Sequence, residues 1–356
     1  MKDFQFPFVK TKVEGLTTKF NLEDPVERRK YFEAKVGPEI EKIRDYLHDG
    51  TFVSFLLGKK NSGKGTYSKL FMEAIGHEHL AHVSIGDVIR KADQDLRDPA
   101  KKDALVAEMR RRYRGFITIE EVVETILSRS QQKLLPTEAI LALLEIEIDH
   151  LEHKAVFIDG FPRNMDQVSL SLFFRALMGY RDDPDFFVFI DLPEAVIDER
   201  MKYRVICPIC KTPRNIRLLR TKNVGYDVAT KEFYLMCDTP SCNQARMIPK
   251  EGDSQGIESI RERITIDDQV MRSLLGLQGV PKVYLRNSLP VDQAREYVDD
   301  YEITPAYAYR YDAASQHVNI TEEPYTAADD DGKKSYSLLP PPVVVALIKQ
   351  VAQILP

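Results

Sequence analysis

Short apolar runs alternate with longer stretches of helical spacing through most of the chain. Thr51–Leu57 reads TFVSFLL, which predicts a buried strand, and a glycine-rich turn follows it at once. Alternating strands and helices are typical of a parallel sheet covered by helices on both faces. The further predicted strands are His82–Ser84, Ala155–Ile158 and Phe186–Ile190, and the predicted helices are Val26–Leu47, Glu138–Leu151, Pro193–Tyr203, Ile257–Leu277 and Val343–Leu355.

Two stretches interrupt this alternation. Residues 91–154 are charged and nearly all helical in pattern, whereas residues 205–256 hold all four cysteines among turn residues. After Leu277 we expect irregular chain, with an acidic surface loop at 322–334 and a proline stop before the last helix. The predicted divisions are an N-terminal helical extension at 1–49, a core at 50–90, 155–204 and 257–356, a helical insert at 91–154 and a small insert at 205–256.

Composition and charge exclude several classes of protein. The 356 residues carry 50 Lys+Arg against 55 Asp+Glu, and this net charge of −5 favours neither nucleic acid nor an anionic membrane as a partner. The N-terminus lacks the apolar run of a signal peptide, and the most apolar stretch, Leu338–Pro356, contains four prolines and a lysine. Four clustered cysteines suit a reducing compartment and one local site. We therefore expect a cytoplasmic protein. If its ligand is anionic, the lysines and arginines that bind it must be clustered at the binding site, because the net charge of the chain is negative.

A phosphate-binding loop follows the first predicted strand. The segment reads GKKNSGKGT and fits the spacing G-x-x-x-x-G-K, with the threonine one place later than usual. Glycines let backbone N–H groups converge on phosphate oxygens, the start of a helix adds partial positive charge, and Lys64 reaches the terminal phosphates. The pattern predicts a nucleoside triphosphate site. Its residues are Gly58, Asn61, Ser62, Gly63, Lys64, Gly65 and Thr66.

The ending GKGT and two later motifs resemble the adenylate kinase family of nucleoside monophosphate kinases. Ser84–Arg90 reads SIGDVIR, which resembles the family's S-T-G-D-x-x-R, and Asp159–Gln167 reads DGFPRNMDQ, which matches its D-G-F-P-R-x-x-x-Q. The resemblance covers roughly residues 51–275, with the motifs in the order of the family. It implies an α/β, three-layer P-loop kinase fold with a central parallel sheet, a helical insert that binds the nucleoside monophosphate (NMP) and a small lid.

The resemblance also implies an acceptor site. Arg90 and Arg163 would hold the phosphate of the acceptor, Gln167 would hydrogen-bond its base, and Asp159 would hold Mg²⁺ through water. At the position where adenine-selective members have Thr and pyrimidine-selective members have Ala, this chain has Ile85. A weaker match, GFITIEE at 115–121, resembles the stretch whose backbone contacts the base. The implied acceptor residues are Ser84, Ile85, Gly86, Arg90, Phe116, Thr118, Gly160, Arg163, Gln167 and Arg261.

A lid segment begins where the chain reads ERMKYRVICPIC at 199–210. This resembles the family's E-R-x-x-G-R-R-x-C-P-x-C, and RERI at 261–264 resembles its R-x-R-L. The family's R-x-D-D has only Lys250–Asp253 as a near match, at another offset. In the family the end of the chain forms part of the donor adenine pocket, and Val318–Ile320 is the candidate here. The implied catalytic residues are Lys64, Arg163, Arg200, Arg204 and Arg263, of which Arg200 also binds ATP.

The cysteines form two close pairs, Cys207 with Cys210 and Cys237 with Cys242. Tetrahedral Zn²⁺ needs four soft ligands from two turns, and two such pairs provide them. Four cysteines leave no open coordination position, so we predict a structural zinc ion that stiffens a lid too small for a core of its own.

Together these motifs predict transfer of the γ-phosphoryl group of Mg·ATP to a nucleoside monophosphate in a monomer, and Gln167 favours AMP. A kinase for UMP, CMP or another monophosphate is the alternative within the same class, because Ile85 departs from the family. The alternative of another class is a nucleotide-binding regulatory or nucleic-acid-associated zinc protein without transfer activity. The spacing of Arg163 and Gln167 argues against it, since such a protein has no use for an acceptor clamp.

Overall fold

The computed structural model describes residues 4–128, 135–151, 154–168 and 183–356. Residues 129–134 and 152–153 of the predicted helical insert and 169–182 of the predicted core lie outside these ranges. The described helices are α1 Pro25–Asp49, α2 Lys64–Ile75, α3 Ile85–Arg97, α4 Pro99–Arg112, α5 Ile119–Ser128, α6 Thr137–Asp149, α7 Glu194–Lys202, α8 Arg261–Leu275, α9 Ala294–Tyr297 and α10 Pro340–Ile354.

The strands include all four that the apolar runs predict. They are β1 Val53–Gly58, β2 Leu80–Ser84, β3 Ala155–Asp159, β4 Asp185–Asp191, β5 Arg204–Ile206, β6 Pro213–Asn215, β7 Val224–Asp227, β8 Glu232–Leu235, β9 Ile248–Pro249, β10 Lys282–Arg286, β11 Ser288–Pro290, β12 Pro305–Asp312, β13 His317–Pro324, β14 Thr326–Ala328 and β15 Lys334–Ser337.

Five parallel strands form the central sheet in the order β10-β4-β1-β3-β2. Side chains alternate across β1, so Leu56 joins the hydrophobic cluster with α1, α2 and α10, while Phe55 and Leu57 join the cluster with α3, α6 and α8. The sheet therefore lies between two helical layers, which confirms the predicted P-loop kinase fold. All five carboxyl ends lie at one edge of the sheet, where ligands bind in open α/β folds.

The region after α8 is more ordered than the prediction of irregular chain. The segment at 282–286 completes the central sheet, and the acidic stretch at 322–334 contains the end of β13 and all of β14. The prediction of a proline stop is wrong, because Pro340 is the first residue of α10. Proline is compatible with the first turn of a helix, where backbone N–H groups have no partner within the helix.

The N-terminal segment is anchored to this C-terminal region by a buried polar network. Lys35 Nζ lies 2.6 Å from Asp299 Oδ2 and 3.2 Å from Glu302 Oε1. Tyr31 Oη and Thr11 Oγ1 both donate hydrogen bonds to the Glu302 carboxylate. The buried lysine is thus paired with two carboxylates, as a charge in a protein interior requires. Apolar residues of α1 and α10 share one hydrophobic cluster, and Pro340, the first residue of α10, borders the functional site described below.

Among the described residues, no helix combines the length and apolar character needed to cross a bilayer.

Candidate active site

The loop between β1 and α2 has the backbone of a phosphate-binding loop. Gly63 has φ 101° and Asn61 has φ 67°, both in the left-handed region. A Cβ atom on Gly58 would lie 2.6 Å from Ser62 Oγ and 3.1 Å from the Ile190 carbonyl oxygen, so a side chain at this position would displace its neighbours. Within the part of the chain that the structure describes, the buried Asn61 Nδ2 and Ser62 Oγ have no hydrogen-bond partner. Buried polar atoms are rarely left unpaired, so these two indicate a polar ligand.

Two cavities meet at this loop. The larger, which we call the donor cavity, has a volume of about 590 Å³, and the smaller acceptor cavity has about 300 Å³. Three residues line both cavities, namely Asn61, Lys64 and Asp159. Two ligands that filled these cavities would therefore face each other across one lysine and one carboxylate.

The predicted residues divide between the two cavities. In addition to the three shared residues, the donor cavity is lined by Ser62, Gly63, Gly65, Thr66, Arg200 and Arg204. The acceptor cavity is lined by Gly58, Ser84, Gly86, Arg90, Gly160, Arg163 and Arg263. The motifs named from the sequence, which are up to 205 positions apart, therefore converge on one cleft at the carboxyl edge of the sheet.

Positive charge is concentrated where the cavities meet. Lys64 Nζ donates a hydrogen bond to the Gly58 carbonyl at 2.9 Å and lies 4.0 Å from Asp159 Oδ1. Burial lowers the pKa of Lys64, and the cations of Arg263 and Arg163 lower it further against the opposing carboxylates. Cations that lie close together lower one another's pKa, and an anionic ligand bound between them relieves their repulsion.

Two of the three arginines that line the acceptor cavity, Arg163 and Arg263, are joined by a hydrogen bond. Arg163 is exposed, yet the surrounding protein atoms lower the pKa of its guanidinium, and the Arg263 cation lowers it further. Arg263 Nη1 donates a hydrogen bond to the Arg163 carbonyl at 3.1 Å, and its Nη2 pairs with Asp267 Oδ1 at 2.7 Å. Two guanidinium groups so placed suit the oxygens of a phosphate group.

Asp267 is a residue of this site that the sequence motifs missed. Its second oxygen accepts a hydrogen bond from the Lys60 backbone N–H at 2.9 Å, so it joins α8 to the phosphate loop. Burial raises the pKa of Asp267, while Arg263 and Lys64 oppose the rise. The spacing of four residues between Arg263 and Asp267 on one helix is the sequence signal for this pair.

The donor cavity is bordered by residues from the predicted lid at 205–256 and from the C-terminal region. Arg204 Nε pairs with Asp253 Oδ2 at 2.5 Å, which gives the near match at 250–253 a role in the lid. Burial raises the pKa of the Tyr67 hydroxyl, and the nearby Arg200 guanidinium opposes the rise. The residues that line this cavity also include Leu218, Leu219, Thr304, Leu339 and Pro340. The candidate for the end of the chain, Val318–Ile320, lies in β13 and does not line this cavity, so its contact with the donor base stays a prediction.

Five predicted acceptor contacts line neither cavity. Ile85 is buried in the core, Phe116 is fully exposed, and Thr118 exchanges hydrogen bonds with Glu121 at the start of α5. Gln167 is 2% exposed, and its Oε1 accepts a hydrogen bond from the Arg163 backbone N–H at 2.7 Å. The fifth, Arg261, pairs with Glu194 and Glu258 beside another cavity. The assigned contacts of these five residues with an acceptor stay predictions.

The four cysteines form one cluster. All four Sγ atoms lie within 4.8 Å of one another, and Cys210 Sγ is 3.6 Å from Cys237 Sγ. Zinc–sulfur bonds of about 2.3 Å place tetrahedral sulfurs about 3.8 Å apart, so this group has the size for a metal ion. Hydrogen bonding to Thr212 lowers the pKa of Cys210 to about 5, whereas burial and the other thiols raise that of Cys242 to about 12. A cation would allow all four to ionise.

Known proteins resemble this chain over much of its length, although no protein-family model matches it. An adenylate kinase of Kosmotoga olearia is 28% identical over 213 residues, which cover 59% of this chain and 79% of the relative. A second, from a Hydrogenobaculum species, is 30% identical over 168 residues, 47% of this chain and 67% of the relative. A probable UMP-CMP kinase 2 of Arabidopsis thaliana is 27% identical over 173 residues, 48% of this chain and 52% of the relative. With its phosphate loop at the junction of two cavities, the chain belongs to the adenylate kinase family.

Proposed function

We propose that this protein is a phosphotransferase that moves the γ-phosphoryl group of Mg·ATP to a nucleoside monophosphate. The observation that carries the proposal is the meeting of two cavities at Lys64, Asn61 and Asp159. The larger cavity has room for the triphosphate donor, and the smaller carries the paired Arg163 and Arg263. Because one chain lines both cavities, a monomer would be complete.

The transfer requires alignment and charge neutralisation more than a strong base. An oxygen of the acceptor phosphate forms a bond to the γ-phosphorus, and the bond from that phosphorus to the β–γ bridging oxygen breaks. The departing oxygen carries its electron pair away on the nucleoside diphosphate. Lys64, Arg163 and Arg263 neutralise charge on the transferring group, while Arg200 and Arg204 hold it from the lid side.

Asp159 fits the role of a magnesium residue. Its carboxylate stands at the end of β3, lines both cavities and lies 4.0 Å from Lys64 Nζ. Magnesium prefers oxygen ligands and keeps several waters, so a single carboxylate that acts through water suffices. The ion would screen the phosphate charge of the donor. The helical insert and the lid are proposed to close over both nucleotides and exclude water.

For the acceptor base we propose adenine, which the names of several relatives support. Relatives named UMP-CMP kinase favour a pyrimidine as the second candidate. Ile85 is buried and is not among the residues that line the acceptor cavity, so its contact with a base stays a prediction and it favours neither candidate.

A panel of acceptors tests both the reaction and the base. ATP would be supplied with AMP, GMP, CMP, UMP or dTMP, and nucleoside diphosphate formation would be followed in a coupled assay. We expect the highest kcat/KM with AMP. A higher value with UMP or CMP would assign the enzyme to pyrimidine monophosphates. If no acceptor is phosphorylated and oligonucleotides bind in a salt-sensitive manner, the protein is instead a nucleic-acid-associated one.

We further propose that the four cysteines hold a structural zinc ion. We expect about one zinc ion per chain by elemental analysis of the purified protein, and almost none in Cys207→Ser, because three thiolates bind zinc far less tightly than four. The matched control is Ser241→Ala. Ser241 stands next to Cys242 in the sequence, and its side chain is not a predicted zinc ligand. Retention of full zinc in Cys207→Ser, or zinc-free wild-type protein, would contradict the assignment.

A further inference from the structure

A hairpin near the end of the chain carries a row of tyrosines on one face. Strand β12 pairs with β13 in an antiparallel ladder in which Tyr309 lies opposite Ile320. Tyr307, Tyr309 and Tyr311 are separated by two residues each, so their side chains leave the same face of the strand. All three are half-buried, whereas Ala308 and Arg310 between them are exposed. The tyrosine face is therefore the covered one.

The lid covers this face. The Tyr309 hydroxyl donates a hydrogen bond to the Ile216 carbonyl, and the Tyr307 backbone N–H donates one to the Arg217 carbonyl at 2.7 Å. The Tyr311 ring stacks on Tyr226 of β7 with the ring centres 4.3 Å apart. Burial raises the pKa of Tyr309 to about 12, as expected for a phenol packed against protein. Backbone and aromatic contacts thus hold the hairpin to the lid.

The lid segment that the hairpin contacts is also a wall of the donor cavity. Residues Asn215, Leu218 and Leu219 line that cavity. The Asn215 side-chain amide donates hydrogen bonds to the carbonyls of Glu199 and Arg200 at 3.1 and 3.2 Å. Its Oδ1 accepts hydrogen bonds from the backbone N–H groups of residues 217 and 218, both at 2.9 Å. The segment 215–219 therefore connects the hairpin to the helix end that carries Arg200.

We infer that the hairpin β12–β13 positions the donor-nucleotide site through the lid, with Tyr309 as its central positioning residue. The hairpin does not line the donor cavity, so its effect passes through the carbonyl of Ile216 to the cavity wall. The inference rests on the proposed function only in taking ATP as the ligand of the larger cavity. It predicts that disturbance of the hairpin weakens ATP binding and leaves monophosphate binding unchanged, because the acceptor arginines line the other cavity.

Direct binding measurements on Tyr309→Ala test this inference independently of turnover. We expect calorimetry to show about tenfold weaker binding of ATP, because the wall that contacts the nucleotide loses its support. The affinity for AMP should change less than about twofold, since its site is built from other elements. The control is Arg310→Gln, the exposed neighbour on the opposite face, which should match wild type for both ligands.

Tyr309→Phe keeps the ring and removes only the hydroxyl, so it is expected to fold. It tests the role of Tyr309 in ATP binding if Tyr309→Ala fails to fold. We expect a loss of about fivefold in ATP affinity, as for one neutral hydrogen bond. The inference would be overturned if Tyr309→Ala folds and binds ATP as tightly as wild type does. If the alanine variant does not fold, wild-type ATP affinity in Tyr309→Phe would overturn it. Equal losses for ATP and AMP would overturn it too, because they would indicate general destabilisation. Wild-type protein that binds ATP but transfers nothing would contradict the proposed function alone.

Discussion

Lys64→Ala is expected to lower the rate of phosphoryl transfer by about a thousandfold, or about 4 kcal/mol of transition-state stabilisation. Lys64 lines both cavities, and its ammonium group is the cation that two facing phosphates would share. The charge on the transferring group changes most at that point, so the interaction strengthens in the transition state and kcat falls.

The same substitution should leave the fold intact. Burial already lowers the pKa of Lys64, so the folded protein bears a cost for keeping this charge, and alanine removes it. We expect the free energy of unfolding, measured with urea, to differ from that of wild type by less than about 1 kcal/mol. Lys102→Ala, an exposed lysine of α4, serves as the matched control and should retain full activity. Turnover of Lys64→Ala within tenfold of wild type would refute the role of this residue.

Arg163→Ala is expected to raise the KM for the monophosphate by about a hundredfold while the KM for ATP changes less than about threefold. Arg163 and Arg263 lie together in the acceptor cavity, and the pKa of Arg163 is lowered by surrounding protein atoms and by the Arg263 cation. An acceptor phosphate relieves this repulsion, so loss of one arginine weakens binding of that substrate.

A lysine at the same position separates charge from geometry. Arg163→Lys keeps the positive charge but loses the planar pair of donors, so we expect a KM between those of wild type and Arg163→Ala. Arg272→Gln, which removes a surface arginine of α8 that pairs with Asp268, is the control and should not change either KM. An unchanged monophosphate KM in Arg163→Ala, or an equal rise in the KM for ATP, would show that Arg163 does not hold the acceptor.

The site residues that could be predicted from the sequence are those that lie within short motifs. The phosphate loop directly follows β1, and Arg90 and Arg163 stand within two turns of chain after the ends of β2 and β3. Parallel strands bring these carboxyl ends to one edge of the sheet. Residue type and offset then suffice to place these side chains. The strands β1, β3 and β4 could be predicted for a related reason, since buried central strands are continuous apolar runs.

The remainder depends on contacts between distant segments. Thr304 and Leu339 reach the donor cavity only because the C-terminal region packs against α1 and the central sheet, and no local pattern encodes that approach. Lys59 is similar: it lies in the phosphate loop, yet its Nζ pairs at 2.7 Å with Asp330 near the end of the chain. The edge strand β10 was missed because charged residues stand at both of its ends.

The central claim is that one cleft holds two nucleotides with their phosphates facing each other. The most direct test is calorimetry with a dinucleotide in which two adenosines are joined by five phosphates. We predict one molecule bound per chain, at least about a hundredfold more tightly than ATP alone, because the second half binds at a high effective concentration. The bound dinucleotide should exclude both ATP and AMP. Absence of saturable heat, or ATP binding that persists in the presence of the dinucleotide, would contradict the account.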